Sequence, residues 1–176
     1  TIDNTHPTLS SISIADAGTG NANNGDDITL SFTASEGIQS PTCTIKDGAG
    51  ATMDNSVTAT EGSSNAWTCV VETHDNDASG TVTFSIAYSD DAGNAGTAET
   101  SVDDSSSVTI DNVHPTLSSI SIADAGTGNA NNGDDITLSF TASEGIQSPT
   151  CTIKDGNAAT MDNSVTATEG SSNAWP

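Results

Sequence analysis

Short runs of alternating apolar and polar residues, Asp/Asn/Gly-rich breakers between them, and no segment with apolar residues at a 3.6-residue spacing predict an all-β protein. Seven such runs recur at intervals of roughly 10 to 15 residues, which specifies an immunoglobulin-like seven-strand β-sandwich. Leu9, Ile12 and Ile14 mark the first strand. Ile28, Leu30, Phe32 and Ala34 alternate strictly with polar residues in the second. Cys43 and Ile45 give a third, Met53 and Val57 a weak fourth, and Trp67, Cys69 and Val71 a fifth. Val82, Phe84, Ile86 and Tyr88 form the clearest alternation, the sixth, and a seventh lies near Val108 and Ile110. One face of each strand fills the space between two sheets, and the Ser/Thr-rich face meets water. Trp67 is expected to anchor a core otherwise poor in large side chains.

The chain repeats itself. Residues 109–176 return residues 1–68 with differences only at Thr5/Val113, Ala49/Asn157, Gly50/Ala158 and Thr68/Pro176. A period of 108 residues exceeds that of solenoid repeats and equals a small domain with its own core. The expected organisation is therefore tandem immunoglobulin-like repeats, 1–108 and 109–176, the second lacking its last strands. Its final residues, Trp175 and Pro176, fall within the fifth strand. A window onto a longer array explains this ending. So does a polymerising filament subunit whose open second domain takes a strand from a neighbouring chain.

Composition narrows the partners. Twenty-four acidic residues face only Lys46 and Lys154, with no arginine, for a net charge of −22. Phosphate binding needs clustered Lys or Arg, so nucleic acid is excluded, and an anionic membrane surface is disfavoured. No apolar stretch is long enough for a membrane helix. Thr1 opens directly on a repeat, so a secretion signal is expected to be removed or to lie outside the chain. High charge with few aromatics is also the mark of disorder, but the regular alternation argues for a folded core.

Cys43 and Cys69 lie on the third and fifth strands, where a disulfide would staple a thin core and imply an oxidising compartment. Two buried free thiols and, less well, a metal site are the alternatives. Cys151 is the copy of Cys43, and the copy of Cys69 would fall at residue 177.

The segments TIDNTHPTLSS (1–11), DDITLSFTASE (26–36) and SIAYSDDAGNAG (85–96) resemble the tandem bacterial-type Ig-like repeats of giant extracellular proteins, among them adhesin stalks, S-layer and surface-fibre proteins. The resemblance covers the whole 108-residue unit and departs from the family at the Cys43/Cys69 pair, where small aliphatic residues are usual. It implies calcium at or near domain junctions. In a seven-strand sandwich the entering linker shares one end with the loops after strands two and six, which places Asp3 and Asn4 near Glu36, Asp90, Asp91 and Asn94. The exit linker, Asp111 and Asn112, would lie close to Glu144 of the next repeat. The opposite pole offers Asp16, Asn21, Asn23, Asn24, Asp26 and Asp27, with Asp75 and Asp77 on the neighbouring loop. Calcium takes six to eight such oxygens. The competing reading is plain solvation of acidic turns.

Catalysis is not expected. His6, His74 and His114 are the only histidines, two of them precede proline in linkers, and no phosphate loop, HExxH or CxxC occurs. Near-identical domains in series add length, so the expected role is a structural repeat of a secreted or cell-surface fibre. Its partners would be neighbouring repeats or copies of the same protein. A ligand-binding adhesin module for an unknown surface ligand is a further alternative.

Overall fold

The computed structural model describes residues 2–18, 20–126, 129–161, 165–168, 170 and 173–175. Contacts divide the chain into two compact units, Thr1–Val113 and His114–Pro176. The described residues form strands and turns without a helix, and no helix is long and apolar enough to cross a membrane.

Unit 1 contains β1 (Leu9–Asp16), β2 (Asp27–Ala34), β3 (Ile38–Lys46), β4 (Val57–Thr58), β5 (Thr60–Glu61), β6 (Ala66–Glu72), β7 (Gly80–Thr81), β8 (Thr83–Asp90) and β9 (Thr109–Ile110). One antiparallel sheet runs β1-β2-β6-β5, a second β4-β3-β8, and β7 pairs with β9. Each long strand buries every other residue. β2 and β8 bury Ile28, Leu30, Phe32 and Ala34, and Phe84, Ile86, Tyr88 and Asp90. These faces join in one core with Ile12, Ile14, Ile45, Trp67 and Val71. Burial of that apolar surface is the main force holding the unit together. Met53 is buried in the core without belonging to a strand, and its amide donates to the Ile45 carbonyl (2.9 Å).

The Cys43–Cys69 disulfide ties β3 to β6, and so one sheet to the other, with a Cα separation of 6.4 Å. Closing a 26-residue loop stabilises by about 3.5 kcal/mol in the chain-entropy model. A bulge offsets the β1–β2 register between Ser10 and Ser13, and Ser11 takes φ 54° there. The seventh expected strand exists as β9, held by β7 and by Ala22, whose amide donates to the Thr109 carbonyl at 2.8 Å. Unit 1 therefore extends five residues past the sequence period.

Unit 2 contains β10 (Leu117–Asp124), β11 (Ile136–Ala142), β12 (Thr150–Cys151), β13 (Val165–Thr166) and β14 (Ala174–Trp175), in sheets ordered β10-β11-β14 and β12-β13. β10 and β11 reproduce the β1–β2 register, bulge included. The nine residues of β3 return unchanged as 146–154, yet only Thr150 and Cys151 remain a strand. In unit 1 those nine residues pair along β8, and residues 114–176 contain no copy of β8. Strand propensity is set largely by such neighbours, so the same sequence keeps its strand only where its partner is present.

Candidate metal centre

At one end of unit 1 the segment before β1, the turn after β2 and the end of β8 meet. They place one carboxylate oxygen each of Asp3, Glu36 and Asp90 within 4.8 Å of one another. Asp90 is the buried member, because alternation along β8 directs it inward with Phe84, Ile86 and Tyr88. The Asn94 amide donates to Asp90 Oδ1 at 2.7 Å and Asn94 Nδ2 to Asp90 Oδ2 at 2.8 Å. Chiefly the Asn94 side chain, then the amides of the turn, hold the Asp90 carboxyl below its ordinary value of 3.8 against the opposing effect of burial. Asp90 is thus kept ionised within reach of two more carboxylates.

Asn94 also donates from Nδ2 to the Asp3 carbonyl at 3.2 Å, and the Thr5 amide donates to Asp3 Oδ1 at 2.9 Å. His6 Nδ1 lies 2.9 Å from the Ala95 carbonyl. These bonds fasten the incoming segment onto the loop after β8. Asp91 stands at the same end, 3.7 Å from the Cβ position of Gly37, and its carbonyl accepts from Gln39 Nε2. Asn4 lies exposed between Asp3 and Thr5. Three like charges at this range repel one another unless a cation joins them. The donor set is oxygen throughout, which suits a hard divalent cation such as calcium.

The exit residues are held within unit 1 by hydrogen bonds of their own. Asp111 pairs through its amide with the Ala22 carbonyl (2.8 Å), at the pole that carries the β1–β2 loop. Asn112 Nδ2 donates to the carbonyls of His74 (2.8 Å) and Asp77 (2.9 Å), and its amide donates to Ser79 Oγ. Asn112 is therefore a tether that closes unit 1, a role its sequence context did not signal. Glu144, the copy of Glu36, lies in the turn after β11 with Oε1 buried and without a hydrogen-bond partner. Among the described residues only Asp3, Glu36 and Asp90 form a three-group cluster of metal-ligating side chains.

At the opposite pole the Cβ position of Gly18 lies 3.1 Å from both Asp16 Oδ2 and Asp26 Oδ2, so the two carboxylates converge. The Asp16 oxygen is buried and unpaired, and its copy in Asp124 repeats this. Asp26 Oδ2 accepts from the Asn23 amide at 2.9 Å. His74 Nδ1 stands 3.6 Å from Asp54 and 3.9 Å from Asp77. No serine or cysteine completes a nucleophile–base contact with a histidine among the described hydrogen bonds.

Two further features escaped the sequence. Asp47 is buried with both oxygens engaged, Oδ1 by the Ala49 and Ala51 amides and Oδ2 by the Ala78 amide at 2.9 Å. The Ala78 amide, the largest cause, holds its carboxyl below the ordinary value. Beside it Gly48 packs on Gly80, a backbone contact with no room for a side chain. A D-G pair after a strand signals a turn, but the partner 30 residues away is not encoded locally.

Compared with known proteins, the chain matches no protein-family model, no curated protein and no solved structure.

Proposed function

We propose that this chain is a non-catalytic structural repeat of a long secreted or cell-surface fibre or stalk, built of immunoglobulin-like sandwiches in tandem and rigidified by calcium near the domain junctions. The return of 68 residues with four substitutions is the observation that carries this reading, since serial identity adds length and repeated surface rather than new chemistry. The two-sheet core and its Cys43–Cys69 staple support an extracellular sandwich, because such disulfides persist in oxidising surroundings. The cluster of Asp3, Glu36 and Asp90 supports the calcium role. It joins the incoming linker to the body of the unit, so an ion held there would stiffen the approach to each repeat.

Calorimetric melting of the 176-residue chain with calcium and with EDTA tests the metal. A higher melting temperature in calcium, abolished by Asp3→Asn with Glu36→Gln, is expected. Identical melting in both solutions would refute the calcium role. The adhesin reading separates on binding: saturable attachment of the chain to glycans or cells would favour a ligand module over a spacer.

A further inference from the structure

β1 ends one sheet of unit 1 and β8 ends the other. Residues 94–108 connect these two edges without forming a strand. Along β8 they bond through the backbone: the Gly96 amide donates to the Tyr88 carbonyl at 3.1 Å, and Ile86 and Glu99 exchange bonds of 2.9 and 3.2 Å. Along β1 the acceptors are side chains. The Ile12 amide donates to Asp103 Oδ2 at 3.0 Å, and the Ile14 amide donates to Ser106 Oγ at 2.9 Å. The Asp103 amide returns a bond of 2.9 Å to the Ile12 carbonyl.

Ser106 is itself braced. Its amide donates to Asp104 Oδ1 at 2.9 Å, and its hydroxyl, then that amide, hold the Asp104 carboxyl below the ordinary value of 3.8. The bond from Ile14 thus passes through the Ser106 hydroxyl to an ionised acceptor. Apolar anchors stand at both ends of the stretch, where Val102 packs on the core and Val108 is buried. Between them Asp103, Asp104, Ser105 and Ser107 are exposed. A segment with few buried apolar contacts, held by exposed hydrogen bonds, opens at low free energy. Release of residues 103–107 leaves both valine anchors in place.

We propose that residues 103–107 are a latch that opens on its own, freeing the outward amides of β1 while the sandwich behind them stays folded. Asp103 and Ser106 act as side-chain acceptors standing in for a neighbouring strand. An uncovered strand edge is a template for pairing, so the latch sets whether unit 1 presents one. The latch requires neither calcium nor a tandem array.

Hydrogen exchange of the 176-residue chain, read residue by residue by NMR, tests this. Asp103 has no copy in the chain, so its substitution also identifies which of the repeated isoleucine amides belong to unit 1. In the unsubstituted chain the Ile12 and Ile14 amides should exchange at least about tenfold faster than Leu30 in the central strand β2, after correction for intrinsic rates. Their rates should stay flat in low urea, because opening the latch exposes little surface, whereas the Leu30 rate rises with urea. Asp103→Ala should speed both amides roughly tenfold, the equivalent of one lost hydrogen bond acting on a latch that moves as a unit. Asp103→Asn keeps an acceptor oxygen and should stay near the unsubstituted rate. Exchange of Ile12 and Ile14 at the rate and urea slope of Leu30 would show that the edge opens only with the whole unit, overturning the proposal. An Asp103→Ala effect confined to Ile12 overturns it as well, since no single latch would then guard both amides.

Discussion

Gly48→Ala and Gly156→Ala place the same substitution at corresponding positions of the two units, and the structure assigns them opposite outcomes. Gly48 donates its amide to the Ala78 carbonyl at 3.0 Å and packs so closely on residues 79–80 that an added Cβ would lie 2.6 Å from Gly80 Cα. Backbone on both sides cannot move aside as a flexible side chain would. Overpacking of this kind costs about 3 kcal/mol. The turn holding Asp47 against the Ala78 amide would open with it. At Gly156 an added Cβ meets nothing within 4 Å, so the same change should stay within about 0.5 kcal/mol of neutral. Hydrogen exchange read on β8, which occurs once in the chain, and on peptides that include residue 49 or 157, which differ between the units, is the appropriate assay, since it reports each unit separately. Gly48→Ala should lower protection there roughly 150-fold, the equivalent of 3 kcal/mol. Gly156→Ala should leave exchange in both units unchanged. Equal effects at the two glycines, or none at Gly48, would refute the packing on which unit 1 is described.

Reducing the disulfide, or Cys43→Ala with Cys69→Ala, should lower the stability of unit 1 by about 3.5 kcal/mol in urea unfolding, and a loss under 1 kcal/mol would contradict the staple. Thr73→Val should raise stability by about 1 kcal/mol, because the Thr73 hydroxyl is fully buried without a partner; a loss in the same assay would show a missed hydrogen bond. Asp47 and Asp90 have folded values below 3.8, so the stability they supply is present above the unfolded value and lost as pH falls through the folded ones. Stability should therefore hold or rise from pH 7 toward the pI near 4.1 as repulsion fades, then drop below about pH 3.8, with Asp47→Asn shrinking that acid drop. An acid limb unchanged in Asp47→Asn would count against this assignment. Without calcium, Asp3→Asn should stabilise unit 1 slightly by relieving repulsion at Glu36 and Asp90. The same variant should lose the calcium-dependent rise in melting temperature, and a full rise in it would argue against the cluster as the calcium site.

Alternation made the long strands legible, because a half-buried strand writes its two faces into the sequence at period two. Ile28 to Ala34 and Val82 to Tyr88 show this most clearly. The short strands were not legible in the same way. β4 and β5 are two residues each, and β7 exists only because β9 lies beside it. Met53, expected on a strand, is buried from a loop. Unit 2 shows the limit most directly, since identical residues form a nine-residue strand in one context and a two-residue strand in the other. At the site, topology brought Asp3, Glu36, Asp90 and Asn94 to one end because linker and loop positions follow from strand order. The tethering of Asn112 and the burial of Asp47 follow from contacts more than 30 residues apart, which no local pattern specifies.

The proposed role is that of a structural repeat in an extracellular spacer. Electron microscopy of the native protein in calcium tests it most directly. With strands of about eight residues at 3.3 Å each, plus loops and linker, beads should follow one another at roughly 40 Å along an extended fibre. A compact particle without a serial repeat would contradict the account.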